Sequence, residues 1–250
     1  MRRLHVVIPF YNEQNTLEPC VRRVIAAPLP DGWQSAIYLV DDASDEPAAG
    51  AAAAFAGGLR AQGHAVSLRR HDVNRGKGAA VRGGFDALLA ANPPDDDLVI
   101  IQDADLEYDP ADFPRLMEPI VAGRAEAVVG TRWGDHRSVR GLKRTLHAWG
   151  NGAMTRLSNL MTGCRLRDME CCYKLMTVGV LRRLRPMLSE ERFGIEPQIV
   201  AGWSRLKVPI AEAPISYDPR AASAGKKIRL SDGVEAVRVL VRERVRRHRP

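Results

Sequence analysis

Short apolar runs alternate with longer amphipathic or alanine-rich stretches along the first half of the chain. The runs at residues 5–8, 36–40, 65–68, 98–101 and 127–130 are rich in valine, isoleucine and leucine, and they predict strands. The stretches between them, at about 15–26, 47–62, 78–91 and 110–122, predict helices. Strands that alternate with helices indicate parallel βαβ units and an α/β domain.

The second half of the chain has a less regular pattern. Residues 140–161, 175–184 and 196–203 predict helices, residues 207–217 a strand and residues 218–230 a loop. Residues 234–247 predict a basic helix with Val234, Val237, Val241 and Val245 along one stripe. This stripe either packs on the domain or lies on an anionic membrane surface. We therefore expect one domain at 1–232, followed by a basic C-terminal helix or tail at 233–250.

The strand predicted at residues 98–101 leads directly into a pair of carboxylates, Asp103 and Asp105. Residues two apart in extended backbone point the same way, so both carboxylates can converge beside the small Ala104. Neighbouring carboxylates repel each other unless a cation lies between them. Hard oxygen ligands favour Mg²⁺ or Mn²⁺, and Glu107 is a candidate third ligand.

A simpler interpretation is that these acids form a turn and cap the next helix. It accounts for Asp109, because Pro110 follows at the first helical position. It does not account for Asp103 and Asp105, which precede the cap. Ligands of open α/β sheets bind just beyond the carboxyl ends of strands, which favours the metal interpretation.

Polar groups also follow the three earlier strands. They are Pro9, Tyr11 and Glu13 after the first strand, Asp41 after the second, and Arg75 and Lys77 after the third. In a parallel sheet these groups share one edge with Asp103 and Asp105. Together they supply the aromatic face, acceptors, cations and metal site that a nucleoside diphosphate requires. Each also has a structural interpretation, as a loop aromatic, a helix cap or a solvated charge.

The glycine-rich loop at residues 74–78 matches neither of two common phosphate-binding patterns. A Walker A loop needs Ser or Thr after its Lys and Gly five residues before it, whereas Lys77 is followed by Gly78 and preceded by Asp72 at that spacing. A dinucleotide fingerprint should follow the first strand, and this loop follows the third. Hydride transfer is therefore disfavoured.

The composition and charge of the chain limit the classes of partner that it could bind. The chain has 250 residues and a formal net charge of +7, mostly from arginine, which suits phosphate recognition. Carboxylates at a strand end would repel nucleic acid in the absence of metal, so we expect no nucleic-acid partner. The four cysteines lack CxxC spacing, and no stretch reaches the roughly 18 apolar residues of a membrane span. We therefore expect free thiols and a cytoplasmic protein.

Several ordered segments carry a resemblance to a known family. They are residues 7–13 (VIPFYNE), 40–45 (VDDASD), 74–80 (NRGKGAA), 103–107 (DADLE), 130–132 (GTR), 168–174 (DMECCYK), 192–197 (RFGIEP) and 225–228 (GKKI) with 232–233. The chain resembles family 2 glycosyltransferases, close to the dolichol- or polyprenyl-phosphate hexosyltransferase branch. The resemblance implies a single-domain, Rossmann-like type-A fold with a mostly parallel central sheet, in which 1–232 is the catalytic domain.

The family also implies residue roles. The nucleotide-sugar site is expected to comprise Pro9, Tyr11, Glu13, Asp41, Arg75, Lys77, Asp103, Ala104 and Asp105. Asp103, Asp105 and Glu107 would hold the divalent metal on the diphosphate. Two departures stand out. Ala43 replaces the usual glycine, and residues 217–224 differ from the family pattern near the expected acceptor, which leaves acceptor identity open.

These roles predict metal-dependent transfer of a hexosyl group from a UDP- or GDP-sugar, with inversion. A polyprenyl or dolichyl phosphate is already anionic near neutral pH, because its second pKa is about 6, and needs cations to orient it. The candidates are Arg132, Arg140, Lys143, Arg144, Lys226 and Lys227. A hydroxyl acceptor needs a base instead, for which Asp168 and Glu170 are candidates unless they pair with Arg165 or Arg167. The expected catalytic set is Asp103, Asp105, Arg132, Asp168 and Glu170.

Several alternatives stay open. The acceptor could be a soluble natural-product intermediate or a carrier-protein-bound molecule. The sequence is compatible with peripheral contact at the inner face of the membrane and with a homodimer. A nucleotidyltransferase or sugar-nucleotide pyrophosphorylase is the alternative of another class. Such enzymes normally carry a glycine-rich basic loop after the first strand, where this chain has residues 9–13.

Overall fold

One sheet forms the centre of the fold. The computed structural model describes residues 1–132, 142–219 and 230–247, with side chains at 1–132, 151–219 and 235–245. Within these residues the sheet has seven strands, β1 (Arg2–Phe10), β2 (Trp33–Asp41), β3 (Val66–Arg70), β4 (Leu98–Ile101), β5 (Ala127–Thr131), β6 (Lys174–Thr177) and β7 (Ile210–Pro214).

The strands lie in the order β3-β2-β1-β4-β6-β5-β7. Strand β6 runs antiparallel to both of its neighbours, β4 and β5, while the other neighbouring pairs are parallel. The predicted α/β class and the mostly parallel sheet are therefore confirmed. Because β6 runs the opposite way, its first residue emerges at the edge where β4 and β5 end.

Helices pack on this sheet and connect its strands. They are α1 (Leu17–Ala26), α2 (Ala48–Ala61), α3 (Lys77–Ala90), α4 (Phe113–Val121), α5 (Leu142–Thr162), α6 (Val178–Leu184), α7 (Ile195–Arg205) and α8 (Leu230–Arg247). Helix α3 packs on β1 and β2, and α4 packs on β5. All four residues of β4 are buried, as expected for a strand covered on both faces.

Three local predictions can be compared with the structure. The Asp109 cap is confirmed, because its carboxylate accepts a hydrogen bond from the Ala111 N–H at 3.0 Å. The helix predicted over 175–184 is wrong in its first part, which forms β6 before α6 begins. Leu and Met favour helix, but pairing with β4 and β5 overrides this local preference.

The face on which α8 packs also differs from the predicted valine stripe. Helix α8 contacts α5 and α7, and its buried residues include Ala236, Val239 and Leu240. Val241 and Val245 point outward, with 44% and 55% of their surface exposed. These two valines therefore do not belong to the buried face of α8. No helix in the described ranges is both long enough and apolar enough to cross a membrane.

Gly84 tests how tightly α3 is packed on the sheet. A Cβ at this position would overlap Cγ1 of Val7 and lie 3.3 Å from Cγ2 of Val40. We expect Gly84→Ala to lower the free energy of unfolding by about 1–3 kcal/mol in urea titrations. The matched control is Gly58→Ala on exposed α2, where a Cβ meets nothing within 4 Å. Gly58→Ala should raise the free energy of unfolding by about 0.5–1 kcal/mol. Equal effects of the two substitutions would contradict close packing of α3 at Gly84.

His5 makes stability depend on pH. Its Nε2 lies 3.1 Å from Asp97 Oδ2, while its buried Nδ1 lacks a partner among the described residues. Burial lowers the pKa of His5 despite Asp97, so the unfolded chain binds a proton more readily than the fold. Relative to His5→Gln, the wild type should lose free energy of unfolding as the pH falls below about 6.5. Above that pH, the difference between the two proteins should stay constant. A relative gain at low pH in urea unfolding would contradict this.

Candidate active site

The carboxyl ends of β2, β1 and β4 lie side by side, as the sequence predicted. The loops after β1 and β2 are tied together, because Asn12 donates through its backbone N–H to Ser44 Oγ at 2.9 Å and through its side chain to Asp45 at 2.8 Å. Pro9 is buried within β1, Tyr11 is half-buried, and Glu13 accepts a 2.6 Å hydrogen bond from Thr16 Oγ1. The expected base and ribose residues therefore share one edge.

Two neighbouring carboxylates at the end of β2 have different surroundings. Asp41 is buried, accepts a hydrogen bond from the Ser44 N–H at 2.8 Å, and lies 3.7 Å from Arg70. Asp42, which the sequence analysis did not single out, accepts hydrogen bonds from the Gly76 N–H at 2.6 Å and the Arg75 N–H at 3.0 Å. Asp42 thus fixes the glycine-rich loop, and its place beside Asp41 was the available signal.

The glycine-rich loop docks against residues 190–192. A Cβ at Gly78 would lie 2.6 Å from the backbone oxygen of Glu190, so only glycine fits. The Ala79 N–H donates to the Glu191 carbonyl at 2.9 Å, and the Arg75 guanidinium pairs with the Glu191 carboxylate at 2.8 Å. Protein groups thus occupy part of the α3 N-terminus, where a phosphate would otherwise bind.

Lys77 joins α3 to the end of β4. Its Nζ lies 2.8 Å from Asp103 Oδ1 and 2.7 Å from Glu196 Oε1, the first carboxylate of α7. Burial opposes ionisation of Lys77, but the charges of Asp103 and Glu196 and the hydrogen bond to Asp103 together outweigh it, and the pKa lies well above the usual value. Lys77 is therefore an ion-paired ammonium, with 15% of its side chain exposed, rather than a solvated charge. Glu196 was missed as a site residue, although it belongs to the segment 192–197 of the resemblance.

Each of the three carboxylates of residues 103–107 contacts a different group of the protein. Asp105 accepts a hydrogen bond from the Glu107 N–H at 3.1 Å across Leu106, whose φ is +65°. Glu107 accepts a 2.7 Å hydrogen bond from the Tyr217 hydroxyl. Among the described residues no three His, Cys, Asp or Glu side chains converge as a metal site. Asp103, Asp105 and Glu107 still provide hard oxygen donors, and Asp103 already contacts one cation, Lys77.

Arg132 is held rigidly at the end of β5. Its guanidinium donates to both oxygens of Asp168, at 2.7 and 2.6 Å, and the side chain of Asp168 is completely buried. The guanidinium also lies 5.2 Å from the centre of the Tyr217 ring. Asp168 thus pairs with Arg132 rather than with Arg165 or Arg167. It would have to leave this pair before acting as a base.

Tyr217 connects the β4 and β5 ends of the edge, and the sequence analysis did not assign it a role. Its hydroxyl contacts Glu107 and its ring contacts Arg132. Burial, and then the bond to Glu107, raise the pKa of Tyr217, so the hydroxyl keeps its proton and donates. The predicted strand over 207–217 contained this tyrosine, but nothing local indicated its partners.

Glu170 lies in the segment that leads into β6. Its Oε1 is buried and has no hydrogen-bond partner in the described parts of the chain. Burial, and secondarily the charge of Glu196, raise the pKa of Glu170 to about 7. This carboxyl can therefore exchange a proton near neutral pH.

Several predicted acceptor cations cannot be placed. Arg140, Lys226 and Lys227 lie outside the described residues, and Lys143 and Arg144 belong to the part of α5 described by backbone alone. Arg132 is the member of this set whose side chain is described. The four cysteines are unpaired, and three of them are buried.

Comparison with known proteins identifies the family. The Glycosyl transferase family 2 profile matches residues 5–185. A dodecaprenyl-phosphate galacturonate synthase of Rhizobium johnstonii is 26% identical over 89% of this chain and 61% of its own. An undecaprenyl-phosphate 4-deoxy-4-formamido-L-arabinose transferase of Edwardsiella ictaluri is 32% identical over 83% of this chain and 59% of its own. This chain thus spans about three-fifths of either relative.

The fold has a close match among solved structures. Glucosyl-3-phosphoglycerate synthase from Mycobacterium tuberculosis, crystallised with Mn²⁺, UDP and phosphoglyceric acid, superimposes with a TM-score of 0.67. The identity is 21%, and the match covers 98% of this chain and 78% of that one. The predicted glycosyltransferase type-A fold is confirmed. Because the family profile matches most of the length of this chain, the chain belongs to glycosyl transferase family 2.

Proposed function

We propose that this protein transfers a hexosyl group from a nucleoside-diphosphate sugar to a polyprenyl phosphate. The observation that carries the proposal is Arg132, a cation fixed by Asp168 and Tyr217 across β6 from the β4 carboxylates. Two features of the relatives support it. Both curated names join a polyprenyl phosphate to a sugar, and the structural neighbour was crystallised with UDP and Mn²⁺.

The donor would lie along the ends of β2, β1 and β4. Tyr11 and Asp41 would take the base, and Glu13 the ribose, at the shared edge. Asp103, Asp105 and Glu107 would hold Mg²⁺ or Mn²⁺, since their oxygens suit a hard divalent cation and Asp103 already contacts an ammonium. When bound, the metal supplies positive charge to the diphosphate.

Transfer would proceed by a single displacement. An acceptor phosphate oxygen forms a bond to the anomeric carbon while the bond from that carbon to the diphosphate breaks, which inverts the configuration. The phosphate is already anionic, so it needs no base. Arg132 orients it, because a planar guanidinium pre-positioned by Asp168 and Tyr217 loses little freedom on binding.

A soluble hydroxyl acceptor is the second candidate, and one observation favours it. Glu170 has a pKa of about 7, which suits a general base near neutral pH. Asp168 is a poorer base because Arg132 binds both of its oxygens. In that case the glycosyl donor would be the same and only the acceptor would change.

The outer face of α8 suits contact with a membrane. Val241 and Val245 are exposed, and Arg238 lies on the exposed side of the same helix. An apolar stripe beside arginines favours the surface of an anionic leaflet, where a polyprenyl acceptor would be anchored. We infer peripheral contact with the inner face of the membrane through this helix.

Product analysis tests the transfer and its acceptor. The protein should convert one of several UDP- and GDP-sugars, with Mn²⁺, to a glycosylated polyprenyl phosphate detectable by mass spectrometry. Asp105→Asn should reduce turnover by at least about a hundredfold with an unchanged fold. The control Asp109→Asn retains a capping side chain and should keep full activity. Transfer only to soluble hydroxyls would exclude the lipid acceptor, and transfer to neither would reject the function.

Arg132→Lys tests the acceptor cation. Lysine keeps the charge but cannot reproduce the paired bonds to Asp168 or the stacking on Tyr217. We expect the KM for polyprenyl phosphate to rise about tenfold or more, with the affinity for the donor nucleotide unchanged. Arg124→Lys, on an exposed arginine of another loop, is the control. An equal loss of donor binding would place Arg132 on the donor instead.

A further inference from the structure

The segment between Asp168 and Lys174 lies between the two halves of the proposed site. It leads into β6, which separates β4 with its carboxylates from β5 with Arg132. A sugar transferred from the donor on the β4 side to a phosphate at Arg132 would cross this segment. Every residue of this segment except Glu170 is buried, so Glu170 is the one that is placed to contact the sugar.

Most polar groups of this segment are satisfied within the protein. The Met169 N–H donates to Thr155 Oγ1 at 3.2 Å, and the Cys172 N–H donates to the Tyr108 hydroxyl at 3.2 Å. The buried Lys174 ammonium donates to the backbone carbonyls of Met169 and Cys171. The backbone on both sides of Glu170 is thus fixed before any ligand binds.

Glu170 differs from its neighbours. Its Oε1 is buried without a partner in the described residues, although leaving a buried acceptor unpaired is energetically costly. It lies close enough to both Glu196 and Arg132 for their charges to affect it. Glu196 in turn binds Lys77, which binds Asp103. Glu170 Oε1 is therefore an acceptor without a hydrogen-bond partner among the described residues, in the segment that links the β4 and β5 ends of the edge.

We propose that Glu170 binds a hydroxyl group of the sugar being transferred, accepting its hydrogen on Oε1. This inference rests on the proposed function and adds the residue that recognises the sugar rather than the nucleotide. A neutral hydroxyl suits the place, because an acceptor phosphate there would meet the like charges of Glu170 and Glu196. Glu170 contributes to affinity for the sugar and to its orientation, and it removes no proton from the acceptor.

Binding of nucleotide with and without sugar tests this assignment. Calorimetry with Mn²⁺ would compare UDP with UDP-glucose and GDP with GDP-mannose. Glu170→Ala should lower the affinity for the sugar nucleotide about tenfold and leave the affinity for the bare nucleotide unchanged. Glu170→Gln keeps an acceptor oxygen and should restore the affinity to within about threefold. Glu118→Ala, which removes an exposed carboxylate on α4, is the control and should change neither ligand.

The outcomes of this experiment distinguish a failure of this inference from a failure of the proposed function on which it rests. The sugar contact is wrong if Glu170→Ala lowers the affinities for nucleotide and sugar nucleotide equally, or if it lowers neither. In both cases the transferase function stands. If both variants bind the sugar nucleotide normally but lose turnover equally, Glu170 is a base and the inference fails. If no nucleotide or sugar nucleotide binds to the wild type, the proposed function fails and this inference with it.

Discussion

The reversed direction of β6 is the constraint on which the site depends. An antiparallel strand inserted between β4 and β5 moves their ends apart by one strand, and its own entry segment fills the gap. That segment is held by Lys174, a fully buried ammonium that donates to two backbone carbonyls. Without β6, β4 and β5 would be neighbours in the sheet, and the proposed sugar site between their ends would be lost.

Buried cations recur along this edge, each held by acceptors of the protein. Lys77 pairs with Asp103 and Glu196, and Arg132 pairs with Asp168. Such pairs add little net stability, because the cost of removing both charges from water roughly cancels their attraction. Their effect is positional: charges that are already desolvated and oriented need no reorganisation when a phosphate binds. The edge thus presents cations that are already oriented for the proposed phosphate ligands, with little gain in stability from their ion pairs.

The fold could be predicted where local sequence and burial agree. The β4 strand was predicted with its observed bounds because all four residues are apolar, and the Asp109 cap because its geometry is local. Strand β6 was missed because its partners lie far away in the sequence. The valine stripe alone does not select the buried face of α8, because the neighbouring helices do so, and on that face Gln198 Nε2 donates to Glu243 at 3.1 Å. A buried carboxylate on a basic helix has no signature in the pattern of hydrophobic residues.

The position of the site follows from topology, but the contacts between its side chains do not. Parallel strand ends must share an edge, whereas the bond from Tyr217 to Glu107 joins residues 110 apart in sequence. Three of the five described non-glycine residues with positive φ lie on this edge. Asn12, Ala43 and Leu106, in the loops after β1, β2 and β4, have φ values of 54°, 63° and 65°. Each costs about 1 kcal/mol relative to glycine. Strain retained in three adjacent loops is typical of ligand-binding backbone, since structural turns would readily accept glycine.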